Sequence, residues 1–312
     1  MESFTPLMRS RINDLEEGYD AYYLKFNVAP GEAYWIRYDL TKIHGKLHGE
    51  LWFIYFKNKM PHIYLKKELP SEVKEDTIKI GNGELHDRNC FGEINGIKWN
   101  LSWTPLVDGF MYYGESFITR RIPTRASAPY PSVKVDGTIT LNNQSLTVKS
   151  LPGEIGHHWG KYHQKMWFYY HGNAFDTPVM VIGAGSKRIG KLLNLMYYND
   201  GTKTYGISSI SSALRHGKGK INIDPKKSAI EALFEATFKQ GTKVKFSISA
   251  PFSSIIGVTY NDPKGPVYCY NSMVADGELI IQDKDTKKLE LPGGAAFEIG
   301  TREKIEGIKI LL

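Results

Sequence analysis

Apolar and polar residues alternate with a period of two along most of this chain, and few folds are open to a chain patterned that way. Across residues 33–40, Tyr34, Ile36, Tyr38 and Leu40 fall on one face of an extended strand, while Trp35, Arg37 and Asp39 fall on the other. Residues 51–56, with Trp52 and Tyr55, form a nearly unbroken apolar run of strand length; 97–103 alternate again, followed by 111–117. The second half has the same texture at 166–170, 179–182, 192–198 and 220–223. Residues 229–238 alternate strictly through Ile230, Ala232, Phe234, Ala236 and Phe238, which predicts a strand, although Glu231 and Glu235 would also fit one turn of helix. Val244, Phe246 and Ile248 answer it after Gln240-Gly241, completing an expected hairpin. Gly81-Asn82-Gly83 and Asn95-Gly96 supply turns where a positive φ is easy. The best helical candidate is the short stretch 7–15.

Many short strands imply a sandwich or a barrel. With 312 residues the chain has room for two such domains. The expectation is therefore an all-β protein of two antiparallel domains, 1–150 and 151–312. The Pro-rich stretch through Pro123, Pro129 and Pro131 breaks the pattern near the middle and reads as a crossing segment, with 133–141 still able to complete the first domain.

Hydrophobic residues make up 41% of the chain and aromatic residues 12%, with 19 Tyr and 14 Phe, enough for real cores and incompatible with disorder. The net charge of +7 is spread among acids, as in Lys284-Asp285-Thr286-Lys287-Lys288, without a basic arm or recognition helix. That favours a solvated basic surface over nucleic-acid binding and leaves open a weak attraction to an anionic membrane. Cys90 and Cys269 form neither a disulfide framework nor a zinc spacing, and a single bridge between them stays open. Met1-Glu2-Ser3-Phe4-Thr5-Pro6 lacks the regions of a signal peptide, and no run approaches the ~18 apolar residues of a membrane span, so a soluble, cytoplasmic protein is expected.

Chemistry concentrates in Pro152-Gly153-Glu154-Ile155-Gly156-His157-His158-Trp159-Gly160-Lys161-Tyr162-His163, followed by Trp167, Tyr169, His171 and Asn173. On a strand His157 and Trp159 share one face and Glu154 and His158 the other; Trp167, Tyr169 and His171 share a face on the next strand. Such faces would line a cavity as an aromatic wall with a few titratable tips, the usual make-up of a small-molecule site. Three readings compete. A metal site would use His157, His163 and His171 but has no acidic partner at a ligand spacing. A structural role would have His and Trp strapping a strand crossing. A ligand-facing or catalytic role would use histidine as the proton carrier near neutral pH. Gly183-Ala184-Gly185-Ser186-Lys187 lacks the Walker spacing and reads as a turn between strands. Gly-x-Ser-x-Gly is absent. Glu115 and Glu298 read as exposed acids on aromatic-rich strands.

Gly156-His157-His158-Trp159-Gly160 followed by Trp167-Phe168-Tyr169-Tyr170-His171-Gly172-Asn173-Ala174-Phe175 resembles the central signature of the tocopherol cyclase-like and hydroxyneurosporene synthase-like proteins. Further echoes run in the family's order. They are Ala33-Tyr34-Trp35-Ile36-Arg37-Tyr38, then Glu50-Leu51-Trp52-Phe53-Ile54-Tyr55-Phe56. Pro129-Tyr130-Pro131 leads to Val135-Asp136-Gly137, and Ala295-Ala296-Phe297-Glu298 comes near the end. The resemblance implies two tandem lipocalin-like β-barrels with a ligand at a barrel mouth or at the domain junction. Members of that family act on long isoprenoids or other apolar chains: some protonate an alkene and trap the cation, fungal relatives of the fold assist Diels-Alder closures, and others bind or carry lipid. One departure stands out, since an Asp or Glu commonly precedes the signature His or Lys, and here that position is Gly156.

The function expected from these residues is acid-assisted addition, a hydration or a cyclisation, at the double bond of a large apolar, isoprenoid- or lipid-like molecule. Glu154 or His157 would supply the proton, and His163 or His171 would orient the water. Trp35, Trp159, Trp167, Tyr169 and Asn173 would form the binding wall, the aromatic faces stabilising a cation. No metal and no redox cofactor is called for. The alternatives are a carrier without chemistry, which Gly156 favours, and a Diels-Alderase-like template acting through shape.

Overall fold

The structure is a computed structural model that describes residues 4–114, 122–188, 190–239 and 241–312. Strand accounts for 66% of it and helix for 4%, far below the usual third for helix. Every ladder between named strands is antiparallel, and the strands gather into two sheets.

The first sheet begins with Met60–Leu69, Lys46–Lys57, Glu32–Ile43 and Gly18–Ala29, then passes to Gln144–Gly160, Thr124–Leu141 and Ile97–Pro105, and ends in short strands from Asn89–Ile94 to Ser71–Val73. The second runs from Thr204–Gly206 through Lys191–Asn199, Met180–Arg188 and Met166–Gly172 to Thr286–Thr301, Val267–Gln282, Lys243–Pro251, Ala229–Thr237 and Gly217–Asp224. One plan is used twice: the first long strand of each half pairs with the last strand of that half. In the second sheet the Asn194 side chain donates to the Lys218 and Glu235 carbonyls at 3.1 and 3.2 Å, tying Lys191–Asn199 to the sheet's far end and nearly closing a barrel.

Alternation places Tyr34, Ile36, Tyr38 and Phe53 inside the first half, and Phe168, Tyr170, Phe234 and Phe246 inside the second. The outer faces pack on each other. Trp35, Trp52, Ile54 and Phe56 meet Ile256, Val258, Val267 and Met273 in a third core between the halves, so faces that a lone barrel would present to water are dry here. The buried Arg37 sits within it, its guanidinium 5.0 Å from the Trp35 ring centre and donating to Tyr260 Oη at 2.6 Å.

Several sequence expectations meet their outcome here. Residues 7–15 form no continuous helix: a hydrogen-bonded turn closes on the Thr5 carbonyl and a 3₁₀ turn follows at Ile12–Asp14, because Asp20 Oδ2 accepts from the Arg11 and Ile12 amides that a continuous helix would use. The Pro-rich stretch is no crossing segment: past Pro123 it lies within Thr124–Leu141, where register shifts between Ser127, Tyr130 and Val133 absorb Pro129 and Pro131, which cannot donate to the ladder. Residues 183–187 lie in mid-strand, not in a turn. A side chain at Gly183 would stand 2.2 Å from the Tyr170 ring, and one at Gly185 would stand 1.7 Å from the Leu193 carbonyl. Of residues 111–117, Met111 is in the short strand Phe110–Met111, while Glu115 and its successors lie outside the described residues. Cys90 and Cys269 are both free, in separate cores. The expected division at residue 150 falls inside Gln144–Gly160; we propose residues 161–165, between the two sheets, as the division. Among the described residues no helix is long and apolar enough to cross a membrane.

Candidate functional site

Two strand pairs converge where the halves meet. In one, Tyr23 lies opposite Gly156 and Lys25 opposite Glu154. In the other, Trp167 lies opposite Gly300 and Tyr169 opposite Glu298. The pairs are counterparts under the repeated plan: each carries a large aromatic laid over a glycine. A Cβ at Gly156 would come within 2.0 Å of the Tyr23 ring, and one at Gly300 within 1.9 Å of the Trp167 ring. Both glycines are thus space for a ring.

Between these pairs is a cavity of about 90 Å³. Tyr19, Tyr23, His157 and His158 line it from the first half, and His163, Trp167, Phe168, Tyr169 and Glu298 line it from the second. Tyr112, Tyr113 and Ala126 come from the segment of the first half that reaches over the second barrel. Phe110 in that segment stacks on Tyr197 at 3.6 Å, fixing its position. The volume is smaller than the ~150 Å³ that admits a benzene ring in an engineered cavity, so a long ligand could insert only one end unless the walls shift.

Four of the sequence-predicted residues line this cavity: His157, His163, Trp167 and Tyr169. His163 has the geometry of a proton acceptor. Its Nδ1–H and its backbone amide both donate to Asp262 Oδ2, at 2.8 and 2.6 Å. Burial works against ionising Asp262, but hydrogen bonds from His163 and Arg302 hold its carboxyl well below the usual range. Burial in turn lowers the His163 ring below an ordinary histidine, against the pull of Asp262. The ring is pinned on Tyr19 at 3.8 Å, and its Nε2 is buried with no protein partner. Tautomer and orientation are therefore set from behind, and the free lone pair lies on the other nitrogen.

His157 is placed differently. Its Nδ1 faces the Leu7 carbonyl at 2.7 Å and its Nε2 faces Asp20 Oδ1 at 2.6 Å, so both ring nitrogens are taken by acceptor oxygens. It is stacked between Tyr22 and Trp159, at 4.1 and 4.5 Å. Asp20 also binds Ser10 and the amides of Arg11 and Ile12, so this group straps the N-terminal segment to the barrel.

Glu154 and His171 stand one layer behind the wall. Glu154 is 1% exposed, and Tyr169 Oη donates to its Oε2. Burial raises its carboxyl to about 7, against the opposing pull of Lys25 and the Tyr169 hydrogen bond. Lys25, also fully buried, donates to the Gly294 carbonyl at 3.2 Å, and burial brings its amine down to about 8. His171 Nε2 donates to the Pro131 carbonyl at 2.9 Å and lies 3.6 Å from Glu154. Its Nδ1 has no protein partner, and burial lowers its ring well below an ordinary histidine.

Trp35, Trp159 and Asn173 lie away from the cavity wall. Trp35 is in the core between the halves, Trp159 backs His157, and Asn173 ties the halves together by donating to the Gly153 carbonyl at 2.7 Å. Sequence reasoning missed Tyr19, Tyr112, Lys25 and Asp262. Nothing local marks Asp262, which sits in an Asn-Asp-Pro turn remote from the histidine cluster. Glu298, read as an exposed acid, is partly buried and accepts from Trp167 Nε1 at 2.6 Å. Among the described residues no three His, Cys, Asp or Glu side chains gather as a metal-binding group; His157, His163 and His171 each engage a separate partner.

No family model and no curated protein matches this sequence. Solved structures do match it. An AttH-type protein from Nitrosomonas europaea shares 10% identity over 96% of this chain and 97% of its own, with a TM-score of 0.60. CghA shares 8% over 96% and 94%, at 0.56, and its complex with Sch210972 superposes at 0.54. Kievitone hydratase from Nectria haematococca shares 10% over 92% and 89%, at 0.50. At such identities the likeness establishes architecture alone: the chain has the lipocalin-like tandem-barrel fold of these proteins.

Proposed function

We propose that the protein takes one end of a large apolar molecule, isoprenoid- or lipid-like, into the junction cavity and catalyses acid-assisted addition at a double bond there. The observation that carries this reading is His163, buried at an aromatic wall, oriented by Asp262 and with Nε2 unpartnered. Glu154 complements it, since a carboxyl raised to about 7 keeps a proton to give at neutral pH. Tyr169 links the two sides by lining the cavity and hydrogen-bonding Glu154.

In the hydration form of the reaction the Tyr169–Glu154 hydrogen bond first reverses: protonated Glu154 donates to Tyr169 Oη, whose own hydroxyl turns to the cavity, and Tyr169 passes its phenolic proton to one alkene carbon as it takes the proton of Glu154. The Trp167 and Tyr169 faces stabilise the cation. Water oxygen bonds to the second carbon, and its proton passes to His163 Nε2. One water adds across the double bond; Glu154 is left ionised and His163 protonated until solvent exchange restores both. In a cyclisation an internal hydroxyl takes the place of water. That a hydratase shares the fold agrees with this reading. His157 serves as a strap and His171 as a positioning residue for Glu154.

A carrier function without chemistry has one observation in its favour: the Tyr23 ring covers Gly156, where the resembled family carries an acid. The two readings separate in one experiment. The ligand co-purifying from the native host is identified by native mass spectrometry and incubated with protein in H₂¹⁸O. Catalysis of hydration predicts one ¹⁸O per product molecule, lost in His163→Ala while ligand binding persists. A ligand recovered unchanged, with no isomer formed, makes the protein a carrier.

A further inference from the structure

A second cavity adjoins the same histidine. It is about 10 Å³, the size at which a cavity first holds a single water. Polar side chains take a larger share of its wall than of the junction cavity's, with Arg37, Asp39, Thr41, Glu50 and Asn261 contributing. Tyr19, His158 and His163 belong to both walls, so those three rings stand between the two cavities. Asn261 is exposed, whereas Asp39, Thr41 and Glu50 are each less than 9% exposed, so the small cavity leads inward from the surface.

We propose that this cavity is a water site, which admits one water from the Asn261 side and presents it to His163 Nε2. The polar lining offers the two to four partners that a held water needs, and Nε2 is a buried acceptor that no protein group satisfies. The arrangement answers a conflict in the chemistry. An apolar ligand filling the junction cavity shuts out solvent, yet hydration consumes a water and leaves a proton on His163. A separate polar entrance supplies the first and removes the second without opening the ligand chamber. The role as co-substrate supply rests on the hydration reading above; the water site itself does not.

Ala21 and Thr41 line the small cavity and not the large one. Ala21→Val narrows it, and Thr41→Val removes a hydroxyl with little change of shape, which guards against a variant that fails to fold. Water ¹⁷O relaxation dispersion of the ligand-free protein should lose the amplitude of one long-lived water per chain in both variants. The ¹⁵N resonance of His163 Nε2 should move with that loss, because it loses a hydrogen-bond donor. Unchanged amplitude in both variants, or lost amplitude with His163 unmoved, overturns the proposal. Failure of the proposed function would show elsewhere, as a ligand that never occupies the junction cavity or never reacts.

Discussion

His163 donates its Nδ1–H to Asp262 at 2.8 Å across 99 residues of sequence. Holding the ring from that side fixes which nitrogen is free, and with it which atom can accept a proton.

Removing either member should therefore separate chemistry from binding. His163→Ala should lower turnover by about 10²–10⁴, the usual loss for a positioned proton carrier. Asp262→Asn should also cost rate, because an amide no longer dictates the tautomer. Ligand affinity by calorimetry should stay within a few-fold in His163→Ala. Equal loss of affinity and turnover would make the pair structural.

His157 should behave in the opposite way. His157→Ala leaves the Leu7 carbonyl only its longer bond from Ser127 Oγ, at 3.1 Å, and takes one of the partners of Asp20, costing roughly 1–3 kcal/mol in urea denaturation. Limited proteolysis should show the N-terminal segment released first. Unchanged stability with lost turnover would return His157 to the catalytic group.

Glu154 makes a signed prediction about pH. Its carboxyl is raised from 4.5 to about 7 in the folded protein, so between those values the native state binds more protons than the unfolded chain. Its contribution to stability is fully present below about pH 4.5 and is lost as pH rises through about 7. Glu154→Gln abolishes that loss, so the variant should gain on the native protein by about 1–3 kcal/mol between pH 4.5 and pH 8. Denaturant melts at the two pH values check it; a constant difference would mean that Glu154 is ionised throughout.

Gly156 and Tyr23 should be strongly coupled. Gly156→Ala forces a methyl into the Tyr23 ring and should cost about 1–3 kcal/mol. In a Tyr23→Ala background the same change should cost little, giving a coupling above about 1 kcal/mol in the double-mutant cycle. Additive effects would mean that the glycine serves its backbone and not the ring.

The strands were legible because alternation is a local signal: Tyr34, Ile36 and Tyr38 announce their face within five residues. The hairpin pairing Phe234 with Phe246 was equally plain, since it is closed by a short turn. The site was legible only in part. The segment 154–171 stood out by the density of its histidines and aromatics, but their roles depend on partners brought in by topology. Asp262 decides what His163 can do, Asp20 occupies His157, and Lys25 becomes a buried neighbour of Glu154 only once the strands pair and the second half supplies the Gly294 carbonyl. Residues 7–15 misled because their periodicity suits a helix, whereas Asp20 captures the amides that a helix would use. Pro129 and Pro131 misled because a strand tolerates them where its register slips.

The pairing of each half's first long strand with its last also has a consequence for how the protein is made. The first barrel can close once Gly160 has left the ribosome, but Trp35, Trp52, Ile54 and Phe56 then wait on its outside for Val267–Gln282 and Thr286–Thr301 to be synthesised. At about 5–20 residues per second this interval is on the order of ten seconds. Throughout it the nascent chain displays an apolar sheet face, a surface that invites a chaperone or a second nascent copy. A stop codon or a stall after residue 160 would thus yield a sticky half-molecule, and translation speed through the second half would set how much of the protein reaches its finished form.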